Sequence, residues 1–300
     1  MLVRNRFFVA VTVLILSSAA LLADQPLLGD QPLPNDRPPP FVQIVPHFET
    51  GVVAILSHLY QSGGSSTDTP FNFITQGGQD ILFPYQRLSV DFHLGEANIV
   101  TLLYQPLTLA TKTVVGKNGT PSSVVVDGVT FGNNVPLDLV YGFDFWRASW
   151  LYNFAQGRGE ILGAGLSLQI RNASISFTST DGSQRAISQN IGPVPILKTR
   201  YAHWFTPEFG VDVTADGIYV ASAFFNGATK DFAGWLWDTS VSLQTRFIPG
   251  STAFVTVRSI GGGAQGNNAY EAKTATTSSA SSYSYNALAT AALTLGVELN

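Results

Sequence analysis

Between Trp235 and Arg258 the chain alternates residue by residue. Trp235, Trp237, Thr239, Val241, Leu243, Thr245 and Phe247 fall on one side; Leu236, Asp238, Ser240, Ser242, Gln244 and Arg246 fall on the other. Ile248-Pro249-Gly250-Ser251 reads as a tight turn, after which Ala253, Val255 and Val257 alternate with Thr256 and Arg258. Successive side chains of a strand point to opposite faces, so this stretch is a hairpin with one apolar and one polar face. The apolar face must turn either to a protein core or to lipid.

Composition bears on that choice. Charged residues make up 12% of the 300, as do aromatics; the charged share is about half that of ordinary soluble domains. Such a balance suits a chain whose outside does not all face water. A net charge of -4 and a pI near 5.5 argue against a nucleic-acid partner. The absence of Cys excludes disulfides, thiolate metal sites, a Cys nucleophile and a lipid-modified N-terminal Cys. Residues 1–23 read as a secretory signal: Arg4 and Arg6 precede the apolar run Phe7–Leu16, and small residues allow cleavage after Ala20 or Ala23. Residues 24–46 form a proline-rich periplasmic tail, in which Asp24-Gln25-Pro26-Leu27 recurs as Asp30-Gln31-Pro32-Leu33. No later stretch has the roughly 20 apolar residues of a spanning helix, so a membrane reading requires strands.

Residues 47–300 supply them. Ten strands are expected: Phe48–Tyr60, Phe83–Gly95, Asn98–Thr111, Leu137–Phe154, Ile161–Asn172, Val194–Phe205, Phe209–Ala221, Ala233–Phe247, Thr252–Ile260 and Tyr285–Leu299. The connections after the even-numbered strands are short (Glu96-Ala97, Ala155–Glu160, Thr206–Glu208, Ile248–Ser251). The others are mostly longer and polar, including Lys112–Pro136, Ala173–Pro193 and Gly261–Ser284. Alternating short and long connections mark an up-and-down antiparallel transmembrane β-barrel, with short turns to the periplasm and long loops outside. The expected fold is therefore all-β, about ten-stranded, with eight or twelve as neighbouring solutions. The apolar faces, such as Leu162, Ala164, Leu166, Leu168 and Ile170, then belong to lipid.

Two strands do not alternate cleanly. The third is irregular, and the fourth changes parity between Phe145 and Trp146; a β-bulge there would send Phe143 and Phe145 to lipid and Asp144 inward. Aromatics should sit at the two membrane interfaces. Trp235, Trp237 and Tyr285 are expected at the outer one, and Trp150, Tyr152, Phe154, Tyr201, Phe205, Phe209 and Phe247 at the inner one.

From Phe48 onward the chain resembles bacterial outer-membrane β-barrel proteins. Thr294-Leu295-Gly296-Val297-Glu298-Leu299-Asn300 is similar to the terminal strand such proteins present to the barrel-assembly machinery, although it ends in Asn300 where an aromatic is usual. The resemblance implies contact with outer-membrane lipid and lipopolysaccharide and leaves the oligomeric state open. Outer-membrane proteases of the omptin type are also ten-stranded and use Asp and His at the extracellular end. Asp91 and His93 share a face here but lie beside the short Glu96-Ala97 turn, at the other end, and are read as lumen charges. His58, beside Ser57 at the outer end of the first strand, is better placed for surface lipid hydrolysis, yet no third member of a triad is visible. His47 and His203 are isolated, so no metal-ligand set and no cofactor are expected. Gly261-Gly262-Gly263-Ala264-Gln265-Gly266 satisfies G-x-G-x-x-G, but a Ser/Thr-rich stretch follows where a nucleotide fold needs a helix; a loop is the better reading.

The inward faces carry the chemistry. Arg87, Arg147, Arg171, Lys198, Arg200, Arg246 and Arg258 are expected to meet Asp91, Asp144, Asp212, Asp216, Asp238 and Glu298, with His93 among them. Charges of both signs in a confined interior must pair. They either fill the barrel or form a charged constriction for solutes. Three functions follow: a non-enzymatic surface or structural barrel acting through its outer loops, a narrow channel for small solutes, or a barrel-embedded lipid or peptide hydrolase.

Overall fold

A computed structural model describes residues 42–63, 69–155, 160–224, 232–268 and 282–299. The signal segment and most of the proline-rich tail lie outside the described residues. Among the described residues there are fourteen strands, in chain order β1 (Val42–Gly63), β2 (Phe71–Asn72), β3 (Leu82–Leu94), β4 (Asn98–Gln105), β5 (Thr108–Val114), β6 (Val124–Val126), β7 (Val129–Phe131), β8 (Pro136–Asn153), β9 (Ile161–Ser179), β10 (Arg185–Trp204), β11 (Phe209–Ala221), β12 (Phe232–Ile248), β13 (Ser251–Asn268) and β14 (Ser282–Leu299). β4 and β5 form one stave broken at Pro106-Leu107. With β2, β6 and β7 set aside, ten antiparallel staves remain, and β14 closes on β1 from Glu298↔His47 to Tyr283↔Gly63.

The register fixes the barrel's shape. Following paired residues from Pro193 of β10 around every stave leads to Phe209 of β11, which accepts a hydrogen bond from Phe205 of β10, a stagger of twelve residues from start to finish. For ten strands about 4.8 Å apart, with a rise of about 3.3 Å per residue, that stagger sets a tilt near 40°. The outward residues Leu162 to Ile170 of β9 then cover nine residues, roughly 30 Å of strand and about 23 Å of height, close to the ~25 Å apolar band of membrane barrels.

The strands run well past that band. β8, β9 and β10 have 18, 19 and 20 residues, about twice the ~9–11 needed to cross. Beyond the band the alternation keeps its parity and reverses its polarity. In β9 the outward residues change from Leu166, Leu168 and Ile170 to Asn172, Ser174 and Ser176, while the inward ones change from Ser167 and Gln169 to Ala173, Ile175 and Phe177. β5 does the same, with Lys112 outside and Leu109 inside. The expected loops therefore contain strand: β5 reaches Val114, β9 and β10 take up most of 173–193 and meet at a hairpin around Asp181, and β13 reaches Asn268.

Three further expectations need correction. β8 carries no bulge; Phe143, Asp144, Phe145, Trp146 and Arg147 pair in unbroken sequence with Ala173 through Gln169. Phe143 and Phe145 share the parity of the inward residues, Phe145 is buried, and Trp146 is 61% exposed on the outside. A shift instead lies in β1, where the β14 register jumps between Ile55 and Ser57. One extra residue, Leu56, turns outward and moves the inward set from Val53 and Ile55 to His58 and Tyr60. Finally, Val42–Pro46, expected to end the proline-rich tail, lies in β1. The β14 ladder reaches only His47, so these five residues pair with β3 alone, an edge setting that tolerates Pro46.

The opening hairpin becomes β12 and β13, turned at Pro249 and at Gly250, whose positive φ of 76° suits glycine. Trp237 lies opposite Gly261 and Trp235 opposite Gly263. A Cβ on Gly261 would stand 2.1 Å from the Trp237 ring, and one on Gly263 2.5 Å from the Trp235 ring. The glycine run is thus the bare strand surface on which two outward indoles lie, and Trp237 Nε1 donates to Ser259 Oγ at 3.0 Å. Gly261→Val should cost about 1–3 kcal/mol through overpacking and shift Trp emission. Gly234→Ala, whose Cβ would meet only a carbonyl oxygen at 3.8 Å, should stay within about 0.5 kcal/mol in urea unfolding of the reconstituted protein.

Candidate functional site

The interior has two tiers. In the half nearer the short turns it is ionic. Asp238 of β12 receives Arg147 of β8 at 2.9 Å, Arg258 of β13 at 2.9 Å and Arg87 of β3 at 3.1 Å. Arg147 also reaches Asp216 of β11 at 2.9 Å, which Lys198 approaches at 3.5 Å. Arg200 of β10 spans Asp212 at 2.8 Å and Asp91 of β3 at 2.9 Å. β12 stands four staves from both β8 and β3, and so does β10 from β3. These pairs therefore cross the lumen. Neutral groups join the network: Gln169 accepts from Arg147, Gln105 from Arg87 and Tyr85, and Thr101 donates to Asp91.

Two members of this network come from β1 and were missed in the sequence. Glu49 binds Arg258 at 3.3 Å and accepts from Thr294 at 2.6 Å. His47 lies between Asp91 at 3.4 Å and Glu298 at 3.5 Å, so it is not isolated. Five cations (Arg87, Arg147, Lys198, Arg200, Arg258) thus meet six carboxylates (Glu49, Asp91, Asp212, Asp216, Asp238, Glu298) around one imidazole. The space left among them is a cavity of about 100 Å³, enough for a few waters.

Four expected lumen charges stand elsewhere or apart. Asp144 shares the outward parity of Trp146 and accepts from the Leu107 N–H at 2.9 Å, repairing the ladder where Pro106 interrupts β4 and β5. Arg246 is exposed at the lower mouth, its guanidinium 3.5 Å from the centre of the Trp204 ring. Arg171 points inward above the network, forms none of these ion pairs, and its buried Nε has no hydrogen-bond partner. His93 forms no ion pair with Asp91, which is engaged by Arg200, His47 and Thr101. Among the described residues no group of three potential metal ligands occurs.

In the outer half the interior is apolar. Phe177 of β9 is its hub, in ring contact with Phe71 at 5.2 Å, Phe73 at 5.6 Å, Tyr60 at 6.0 Å and Phe131 at 6.5 Å. Phe71 and Phe73 come from the segment after β1, which folds back into the barrel and pairs β2 with Leu59 and Tyr60. The β6–β7 hairpin, turned at Asp127-Gly128 with both φ positive, lays Val124, Val126 and Phe131 over them. Ser62 Oγ bonds the Asp127 carboxylate, and Asp127 N–H donates to Ser62 O. His58 is fully buried here, its Nδ1 3.0 Å from Gln79 Oε1. It lacks the solvent access that surface lipid hydrolysis requires, and His203 pairs instead with Glu160 at 2.9 Å.

The outer surface completes the picture. Trp150, Phe154, Phe205 and Phe209 are exposed around the lower margin of the apolar band, with Tyr152 and Tyr201 partly exposed among them; the Phe247 side chain lies outside the described residues. Trp235, Trp237 and Tyr285 lie at the upper margin, Trp235 and Tyr285 6.4 Å apart. Trp146, stacked on Tyr104 at 4.6 Å, continues that margin and was missed when β8 was read with a bulge.

An apolar outer band between rows of aromatic residues, an ionic lower interior and a closed ring of ten staves define a transmembrane β-barrel of the outer-membrane type. No protein-family model and no curated protein sequence matches the chain. Solved structures similar to it include outer-membrane proteins and a transporter. The outer membrane protease OmpT of Escherichia coli shares 8% identity over 85% of this chain and 96% of its own, with a TM-score of 0.46. The toluene transporter TodX of Pseudomonas putida shares 11% over 85% and 89%, with a TM-score of 0.31. The outer membrane channel DcaP of Acinetobacter baumannii shares 9% over 86% and 96%, with a TM-score of 0.21.

Proposed function

We propose that this protein is a closed, non-enzymatic surface barrel, exported by residues 1–23, held in outer-membrane lipid and lipopolysaccharide by its apolar band, and acting through the strands and hairpins that stand above that band. β14, the closing strand, is the segment offered to the barrel-assembly machinery. The observation that carries the reading is the double closure of the lumen: cross-lumen ion pairs below, and an aromatic plug above. A channel for solutes needs a continuous wet path, and the buried aromatic tier stands across it. The rigid outward face beyond the band, with Lys112, Asn172, Ser174 and Ser176, is a polar surface suited to contacts outside the cell. Proteoliposome swelling tests the closure. Vesicles carrying the protein at neutral pH should swell in small sugars no faster than empty ones; swelling that scales with protein content would favour the channel.

A further inference from the structure

The apolar tier contains a single imidazole among its described residues. The β1 bulge turns His58 inward, where its ring stacks on Phe73 at 3.9 Å and 10° and meets the edge of Tyr141 at 4.5 Å. Phe73 N–H donates to His58 O at 3.1 Å, and Gln79 N–H donates to Phe73 O at 2.9 Å. Gln79 in turn holds His58 Nδ1 through its side chain. His58 thus fastens the middle and end of the turn from Phe71 to Gln79 to the barrel wall, beside the β2 pairing with Leu59 and Tyr60 and the hydrogen bond from Thr113 Oγ1 to Gln76 O.

That fastening suits only the neutral ring. With Nδ1–H donated to Gln79, Nε2 is a lone pair in apolar surroundings, buried and without a hydrogen-bond partner. Protonation would give Nε2 a hydrogen with no acceptor and place a cation among aromatic rings. The groups facing His58 offer it no anion: Phe73 and Gln79 from the turn, and Tyr141 from β8, whose hydroxyl accepts from Asn286 of β14 at 3.4 Å. The charged group that acts on Tyr141 is a cation, Arg171 of β9. Among the described residues no carboxylate pairs with His58. Stacking on Phe73 offsets part of the cost of a buried cation, but leaving the wall for water removes all of it.

We propose that the segment 71–79 is an acid-released plug whose trigger is protonation of His58. This goes beyond the closed-barrel reading: no residue of 71–79 takes part in the ion pairs of the lower tier. A histidine that takes its proton only after release shifts the released-to-seated ratio about tenfold per pH unit below roughly 6.5.

Hydrogen exchange followed by mass spectrometry on the reconstituted full chain reads this ratio directly. Protection factors, corrected for intrinsic exchange, are compared at pH 7.5 and pH 5.0. Amides in 73–79 should lose protection by up to about 30-fold at the lower pH, while those of β9 between Gly163 and Ile170 should not change. His58→Phe, which keeps the stack and cannot titrate, should hold equal protection at both pH values. If His58→Phe does not assemble, His58→Leu serves the same comparison. Unchanged protection of 73–79 in the wild type, or an equal loss in the non-titrating variant, would overturn the proposal.

Discussion

Asp238→Asn should lower the unfolding free energy of the reconstituted barrel by about 3–5 kcal/mol, the usual cost of breaking a buried ion pair from one side. Asp238 is 1% exposed and receives three guanidinium groups, those of Arg87, Arg147 and Arg258. Arg147 retains Asp216 and Arg258 retains Glu49, but Arg87 has no other carboxylate partner among the described residues. The neutral amide keeps the shape and loses the charge, so the effect isolates the electrostatics. The contrast is the exposed pair of Lys112, 87% exposed, with Asp138 at 3.6 Å; Lys112→Ala should cost no more than about 1 kcal/mol. Urea titration followed by gel mobility of unboiled samples measures both. Equal effects at the two sites would mean that the lower tier is wet enough for its charges to be screened.

Phe177→Ala should cost about 3–5 kcal/mol in the same assay, the range for emptying a buried phenylalanine site. Its ring is fully buried and touches four other aromatic rings drawn from β1, β2, β7 and the turn after β2. The loss should fall on the plug more than on the wall: the β9 ladders to β8 and β10 are backbone pairings that survive truncation of one side chain. Protection of the amides in 71–79 should therefore fall while that of 163–170 holds. Uniform loss along β9 would mean that the plug and the wall form one cooperative unit.

The lower half of this barrel is readable from sequence because lipid and lumen impose opposite demands on adjacent residues. β9 from Leu162 to Arg171, β11 from Phe209 to Asp216 and β12 from Trp237 to Arg246 declare their faces directly, and the short turns locate one rim. The upper half is hidden by a reversal of sign. Above the band, water takes the outward face and the plug takes the inward one, so Leu107 and Leu109 turn in while Thr108 and Lys112 turn out. A reading that expects polar residues inside ends its strands at that line and assigns the remainder to loops. β1 is obscured for a related reason. The bulge at Leu56 leaves apolar residues on both faces, Val52 and Leu56 outside and Val53 and Ile55 inside, and Glu49 and His47 pass unnoticed beneath them. The plug could not be read at all from local pattern. Phe71 and Phe73 sit in a connection after β1, and only the closed wall around them shows what they fill.

The closure of both tiers is tested most directly by single-channel recording of the purified protein in planar bilayers at neutral pH. The structure predicts membranes that remain at the electrical baseline after insertion has been verified. Stable, voltage-tolerant current steps of uniform size from the unmodified protein would contradict it, because ions would then have a path through the Asp238 cluster and past Phe177.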